Sequence, residues 1–436
     1  MPDMIWQWDY KSINIYICTR HMKVTILSLG TRGDVQAFLA LSTALQAVGY
    51  DVTFGADTEF EAMIVNRNIR YAPLRLNIKD YLNSDEGRAA MAGMKGEEQA
   101  DTFDTMVRPM LDNCWEAAQG AQGIIYDTML FPAYHIADKL GIPSIMASVM
   151  PNMSPTREFS LIGAPNIGFG KLGNRLSYLL YRLSWFQGYS KMQRWCRDSL
   201  NMALPSRFIH YGYRNGKPVP TLYCYSQLLM PSPKDWHDAV LASGYWFLEG
   251  EKDWQPPVAL EKFVTAGPAP ISIGFGSMVG MDPDRLTDIV LSAVEKTGER
   301  AVLGTSWGGL VEKKASDSVF FLTNVQHDWL FPRMKAVIHH GGAGTTAAGL
   351  KFGKPTVICP FVTDQFFWGD LIYQRGFGPK PIPQKKLTVD KLALAIDTAI
   401  TDTTMQRRVV ELSKGLRCED GIGKAVAFIN KHFSNT

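Results

Sequence analysis

The stretch from His327 to Trp368, HDWLFPRMKAVIHHGGAGTTAAGLKFGKPTVICPFVTDQFFW, restricts the fold more than any other part of the chain. Ala336-Val337-Ile338 reads as a short apolar strand, and His339-His340-Gly341-Gly342-Ala343-Gly344 as a glycine-rich turn. Thr345 to Lys351 then begins a helix, and Pro355 to Cys359 gives a second apolar strand. A strand that feeds a glycine turn and a helix N-terminus makes an anion site from backbone alone. Unbonded amides and the positive end of the helix dipole point at one spot. Glycine lets a phosphate approach the chain closely, and Thr345 and Thr346 can add hydroxyl donors. A nucleotide diphosphate fits such a turn, which leaves a second substrate and a base to be found elsewhere.

With 436 residues the chain exceeds one ordinary core. Two domains of about 200 residues each are expected. The 46% apolar and 20% charged composition is that of a globular protein. Formal net charge is +3 without a long single-sign run, which argues against nucleic acid as the main partner, since phosphate-backbone binding needs a concentrated basic face. Cys18, Cys114, Cys196, Cys224, Cys359 and Cys418 are scattered and form no CxxC pair. That argues against a zinc site or a disulfide framework and fits a reducing, cytoplasmic setting. No apolar run reaches about 18 residues, so no transmembrane helix is expected. Residues 1–21 lack the apolar core of a signal peptide and read as a disordered leader.

Lys23 to Leu29 is a β-rich run that ends at Gly30-Thr31-Arg32-Gly33-Asp34, followed by helical spacing to Val48 and a strand at Asp51 to Gly55. This βαβ opening places a short turn where open α/β sheets bind ligands. The turn is not GxGxxG, which weakens a nicotinamide reading. The alternation continues through Gly123 to Tyr126, ending at Asp127, and through Ser144 to Ala147. Residues 150–175 look like a long loop, and Asn174 to Leu200 like one aromatic-rich helix. Proline-rich residues 243–270 read as a loop holding the domain boundary. The assignment is a leader at 1–21, a first domain at 22–245, a linker at 246–268 and a second domain at 269–436.

Asp34 sits where a carboxylate can face a cleft and act as a general base, or simply cap the helix that follows. Asp127 also ends a strand, and either shares that cleft or caps a turn. His339 and His340 stand at the mouth of the glycine turn. One imidazole can donate to a diphosphate oxygen, while adjacent strand side chains point to opposite faces and do not readily chelate one metal. Asp282-Pro283-Asp284 reads as a helix cap rather than a magnesium site. The turn Gly274-Phe275-Gly276-Ser277-Met278 can add donors to the diphosphate or be a plain tight turn. Asp364 and Gln365 together suit sugar hydroxyls. The aromatic helix around Leu180 to Trp195 either belongs to the core, lines an apolar acceptor pocket or rests on a membrane. Aromatics at helical spacing are more often core, while the basic excess of Lys171, Arg175, Arg182, Lys191, Arg194 and Arg197 modestly raises the membrane option.

The run from His327 to Pro383 resembles the donor-binding signature of the GT-B nucleotide-sugar glycosyltransferases, in particular the sterol 3β-glucosyltransferase group. GTRGDVQAFLAL and GFGSM are similar to that group's other two landmarks. The resemblance covers about Met22 to the C-terminus and is thin between roughly 60 and 240. It implies an α/β GT-B fold, with two Rossmann-like doubly wound domains facing a cleft and a C-terminal helix returning to the first domain. It also implies inverting transfer of a sugar, glucose first, from a UDP-sugar to a hydroxyl of a sterol-like acceptor, with UDP-sugar as co-substrate and no metal or other cofactor. By resemblance Asp34 is the catalytic base. Ser277, His340, Gly342, Gly344 and Thr345 surround the diphosphate, Gln326 lies near the nucleoside, and Asp364 and Gln365 grip the sugar. Asp127 falls in a segment, IIYDTMLFPAYHIADKLGIPS, similar to one in which an Asp supports a His base; here Asp34 stands at the base position. Two rival functions are glycosylation of an antibiotic or other secondary metabolite, and a UDP-sugar-binding scaffold without activity. Peripheral membrane contact is a further expectation, and the sequence sets no oligomeric state.

Overall fold

The computed structural model describes residues 21–76, 103–164, 168–203, 213–214, 217–250, 254–276, 278, 282–305 and 309–434. The leader at 1–20 and the candidate donor Ser277 lie outside the described residues. Two parallel sheets organise the chain. The first holds β1 (Lys23–Leu27), β2 (Asp51–Ala56), β3 (Arg70–Pro73), β4 (Gly123–Asp127) and β5 (Ser144–Ser148). A small antiparallel pair, β6 (Tyr213–Arg214) and β7 (Lys217–Pro218), precedes β8 (Thr221–Tyr223) and β9 (Val240–Ala242), which extend the first sheet. Its order is β3-β2-β1-β4-β5-β8-β9. The second sheet holds β10 (Ile271–Gly274), β11 (Ala301–Gly304), β12 (Val319–Leu322), β13 (Val337–His339) and β14 (Thr356–Ile358), in the order β12-β11-β10-β13-β14.

Both orders reverse direction beside their first strand. The crevice at such a reversal, beyond the carboxyl ends of the strands, is where open α/β sheets bind ligands. In the first sheet it lies between β1 and β4, and in the second between β10 and β13. Asp34 follows β1, Asp127 ends β4, the Gly274 turn ends β10 and His339 ends β13. Topology alone therefore gathers these candidates at two facing crevices.

Helices cover the sheets: α1 (Arg32–Ala47), α2 (Glu61–Val65), α3 (Arg108–Ala117), α4 (Ala133–Leu140), α5 (Gly170–Ser177) and α6 (Leu179–Asp198) in the first half. The second half carries α7 (Val258–Thr265), α8 (Pro283–Thr297), α9 (His327–Leu330), α10 (Ala343–Lys351), α11 (Thr363–Arg375), α12 (Val389–Thr401), α13 (Thr403–Cys418) and α14 (Gly421–Phe433). Buried β1 and β4 residues such as Ile26 and Ile125 share a core with Phe38 and Leu41 of α1. Ala425, Ile429 and Phe433 of α14 complete that core, so the last helix returns to the first domain as expected. The returning chain touches the outgoing one, because a Cβ on Gly421 would stand 2.6 Å from the carbonyl carbon of Gly244.

The structure corrects two local readings. Residues 243–270 are not loop throughout: α7 forms between Pro257 and the 266–268 turn, with Leu260 and Val264 buried against Val302, Leu330 and Met334 of the second domain. Proline at both ends masked this eight-residue helix. The aromatic helix at 174–200 is also two abutting helices, α5 and α6, joined at Tyr178, and the first begins at Gly170. Among the described cysteines Cys114, Cys196, Cys224 and Cys359 are buried free thiols and Cys418 is an exposed one.

Candidate active site

The two crevices meet where α1 and α10 point their N-termini at each other. A Cβ on Gly344 would stand 3.4 Å from the Cα of Gly33, so the helices approach backbone to backbone. Arg32 adds a hydrogen bond across the gap, its guanidinium donating to the Asn324 amide oxygen at 2.9 Å. The unbonded first-turn amides of two helices therefore face one space, which concentrates two positive dipole ends there.

Asp34 occupies the third residue of α1 rather than the capping position before it. Thr31 is the cap residue, and its amide and hydroxyl both donate to Asp34 Oδ2, at 2.8 and 3.1 Å. This reciprocal box fixes the carboxylate. Gly30, at φ +130°, holds the turn beneath it; a Cβ there would lie 2.9 Å from the Asp34 carboxyl carbon and 3.0 Å from the Met129 methyl. The capping and catalytic readings of Asp34 are thus compatible, since a carboxylate pinned by one oxygen keeps the other for a substrate proton.

Asp127 is 2% exposed, and its Oδ1 accepts the Met129 amide at 2.7 Å, capping the turn Thr128–Leu130. Asp364 enters from the first turn of α11 in the opposite domain. The Asp34 charge perturbs both of the other carboxyls. Burial raises Asp34, while the Thr31 hydrogen bonds partly oppose it. Burial and then the Asp34 charge push Asp127 well above the usual carboxylate range, and the same causes raise Asp364 to about 7. Protonation is thus favoured at Asp127 and Asp364, while the Thr31 hydrogen bonds favour the Asp34 carboxylate, a setting that suits proton transfer from a hydroxyl to Asp34.

The histidines divide their work. His339 is 1% exposed, and its Nδ1 accepts the Gly341 amide at 2.9 Å, which shapes the turn. The His340 ring lies between Gly276 and Gly342: a Cβ on Gly276 would meet its Cε1 at 2.9 Å, and one on Gly342 would collide with its Nε2. Gly276 and Gly342 thus leave room for an imidazole that ties the β10 turn to the β13 turn. Burial, then the neighbouring His327, lowers His340 to about 4, so at neutral pH the ring is uncharged. Its Nδ1 is buried without a partner. The Thr346 hydroxyl closes on the Gly342 carbonyl at 2.9 Å inside α10, whereas Thr345, partly exposed, carries no such bond.

Gln365 differs from the expectation of a sugar ligand. It is 3% exposed, and its Oε1 accepts the amides of Phe361 and Val362 at 2.8 and 3.2 Å while its Nε2 lies 3.1 Å from Met278 Sδ. Here it caps α11 from within and thereby aims Asp364 into the cleft. Gln326 precedes α9, whose first turn its carbonyl caps, and its side-chain amide rests against Gly250 of the segment between the domains. Asp282 caps α8 by accepting the Arg285 amide at 2.9 Å, the cap reading. Among the described residues no cluster of three or more His, Cys, Asp or Glu side chains is arranged to hold a metal ion. Beside Asp364, Phe367 of α11 packs on Phe159 of the first domain, with ring centroids 6.0 Å apart, and Phe159 packs on Trp236. Sequence periodicity did not mark this apolar wall across the cleft, because Phe159 lies in an irregular segment.

Known proteins resemble this chain over most of its length. Residues 24–156 match the glycosyltransferase family 28 N-terminal domain, and residues 314–419 match the erythromycin biosynthesis protein CIII-like C-terminal domain. The chain is 34% identical to sterol 3-beta-glucosyltransferase UGT80B1 of Arabidopsis thaliana over 94% of its own length and 68% of that protein. It is equally identical to UGT80A2 of the same plant, covering 66% of it. It is 32% identical to the sterol 3-beta-glucosyltransferase of Emericella nidulans, covering 30% of that protein. The chain thus spans about two thirds of the plant relatives and less than a third of the fungal one. The glycotransferase of kitacinnamycin superposes with a TM-score of 0.71 at 19% identity, covering 95% of this chain and all of that one. The glycosyltransferase VinC in complex with dTDP superposes at 0.63 and 15% identity, covering 95% of this chain and all of that one.

Proposed function

We propose that this chain, which belongs to the sterol 3-beta-glucosyltransferase family and folds as a GT-B glycosyltransferase, transfers a hexose, glucose first, from a UDP-sugar to a hydroxyl of a sterol-like acceptor. The observation that carries the reading is the meeting of Asp34 with Asp364 and the glycine turn across the Gly33–Gly344 contact.

Asp34 takes the proton of the acceptor hydroxyl, and that oxygen attacks the anomeric carbon from the face opposite the diphosphate. The bond from the anomeric carbon to the phosphate oxygen breaks, UDP leaves with the electron pair, and the configuration inverts. The charge that grows on the diphosphate meets the first-turn amides of α10, the Thr345 hydroxyl and His340, and these need no reorganisation when it forms. Ser277 takes a diphosphate oxygen by the same reading. The neutral state of His340 suits donation of a hydrogen bond rather than an ion pair. Asp364 holds sugar hydroxyls, and Gln326 closes the nucleoside end. Asp127, whose protonated form burial and the Asp34 charge favour, limits the negative charge near the base. Phe159, Trp236 and Phe367 offer the apolar wall that a sterol-like acceptor needs. Such an acceptor resides in bilayers, so the enzyme works on the cytoplasmic side in peripheral contact with a membrane; no helix among the described residues is long and apolar enough to cross one.

An acceptor panel of sterols, polyketide aglycones and flavonoids, assayed with UDP-glucose and read by mass spectrometry, tests the reading. Glucosides of the sterols are the expected products. Products from the polyketides alone would transfer the enzyme to secondary metabolism, and UDP binding without any product would leave only a scaffold.

A further inference from the structure

From Phe159 to Arg197 the chain has no acidic residue and six basic ones, Lys171, Arg175, Arg182, Lys191, Arg194 and Arg197. Helices α5 and α6 run through this stretch with an inverted face. Phe169, Leu172, Leu176, Leu179, Leu180 and Leu183 recur at three- and four-residue intervals, so they share one side, and all are exposed, Phe169 by 83%, Leu172 by 62% and Leu183 by 59%. The buried residues beside them are Gly173 and Ser177 on α5 and Tyr178 at the junction, so little of α5 faces inward as apolar bulk. Farther along, Tyr189, Met192, Trp195 and Cys196 anchor α6 in the core, and the Trp195 indole donates to Asp112 at 2.9 Å. Leucines on an open face while glycine and serine face inward from α5 are the reverse of a core-facing helix.

We propose that this stripe is the surface by which the protein lies on an anionic lipid bilayer. Lys171, just before Leu172, and Arg175, just before Leu176, flank the stripe on one side, as on helices that lie in a membrane interface. The charge pattern selects the occupant. Arg175, Arg194 and Arg197 already pair with Asp235, Asp104 and Asp198, at 3.6, 3.5 and 2.9 Å. Exposed Lys171 beside the leucines has no acid within the stretch from Phe159 to Arg197, so a second copy docking the same face would set it against a like charge, whereas phosphatidylserine headgroups complement it.

The stripe is tied to the cleft. Ser177 Oγ accepts the Leu161 amide at 2.7 Å, and the Asn174 amide donates to the Arg157 carbonyl at 3.0 Å. The segment thus braced carries Phe159, which packs on Phe367 three residues after Asp364. A bilayer against α5 therefore adjoins the apolar wall of the site. The advantage this gives in drawing a sterol from the membrane rests on the function proposed above; the lipid binding itself does not.

The test is flotation of the full chain with sterol-free, donor-free vesicles, either pure phosphatidylcholine or containing about 30% phosphatidylserine, at low and high salt. The wild type is expected to float with the anionic vesicles and to detach as salt rises. Leu172→Glu/Leu176→Glu/Leu183→Glu is expected to lower partitioning by about tenfold or more, and Lys171→Glu to weaken it only on anionic vesicles. Turnover of a cyclodextrin-delivered acceptor should stay within about twofold for these variants, which shows that they fold. A wild type that ignores both vesicles, or a triple variant that floats like it, overturns the proposal. So does light scattering that shows a wild-type dimer abolished in the triple variant. Flotation without turnover of any acceptor would remove the proposed function and leave the membrane surface standing.

Discussion

Gly33 and Gly344 meet across the cleft with no side chain between them: a Cβ on Gly344 would lie 3.4 Å from the Gly33 Cα and 3.6 Å from its carbonyl oxygen. Those separations are ordinary contact for one methyl and leave no room for a larger group. Gly344→Ala is therefore expected to change stability by less than about 1 kcal/mol. Gly344→Leu forces the two helix N-termini apart and should lower kcat/KM by about a hundredfold or more, with the melting temperature nearly unchanged. Steady-state kinetics beside thermal melts check the pair, and a fully active leucine variant would show that the domains need not approach so closely.

Asp34 and Asp127 should respond differently to the same change. Asp34→Asn keeps an oxygen for the Thr31 bonds but cannot take a proton, so turnover should fall by about a hundred- to ten-thousand-fold. The loss of stability should stay below about 1 kcal/mol. Asp127→Asn resembles the protonated acid that burial and the Asp34 charge already favour, so turnover should change by less than about tenfold. Equal losses at both positions would mean that Asp127 takes part in the proton transfer.

Asp364 makes stability depend on pH. Its folded value of about 7 lies above the ordinary 3.8 because burial, then the Asp34 charge, disfavours the carboxylate. The fold holds a proton that the unfolded chain releases. That contribution is complete below about pH 4 and is lost as pH rises through about 7. Without ligand, Asp364→Asn should therefore melt at increasingly higher temperature than the wild type between these limits, while its turnover falls. A melting difference constant with pH would place the Asp364 carboxyl in solvent.

His340 should bind as a neutral donor. Its folded value of about 4 leaves it uncharged before a ligand arrives. His340→Ala is expected to weaken UDP binding about ten- to hundredfold, the range of a hydrogen bond to a charged group. The gap between variant and wild type in calorimetry should stay constant from about pH 6 to 8. A gap that opens only below the ordinary histidine value would mean that the ring binds as a cation.

The returning helix α14 should be indispensable to the first domain. Ile429 is fully buried, and a Cβ on Gly123 of β4 would meet the Phe433 ring at 2.8 Å, so the helix end lies flat on the sheet. Ile429→Ala is expected to cost about 2–4 kcal/mol in urea unfolding. UDP affinity of the folded fraction should change little, since the glycine turn belongs to the other domain. A neutral substitution would mean that α14 only rests on the surface.

The sequence determined the parts of this protein that depend on neighbours along the chain. The glycine turn after β13, the turn bearing Asp34 after β1 and the alternation of strands and helices are local patterns of hydrophobic spacing and backbone freedom. They sufficed for the two-domain α/β architecture and for the glycine turn that opens α10. The aromatic and basic stretch at 159–197 was equally visible as composition, yet its spacing fits a buried face as well as an open one.

Only the tertiary structure decided which of those parts meet and which side of each faces out. It placed Gly33 against Gly344, brought Asp127 and Asp364 near enough to Asp34 to be shifted by its charge, and packed His340 between Gly276 and Gly342. It also turned Gln365 inward to cap α11 and left the leucines of α5 and α6 uncovered. Each of these depends on contacts between residues tens to hundreds of positions apart, or on which face of a helix finds a neighbour. Local spacing carries no record of either.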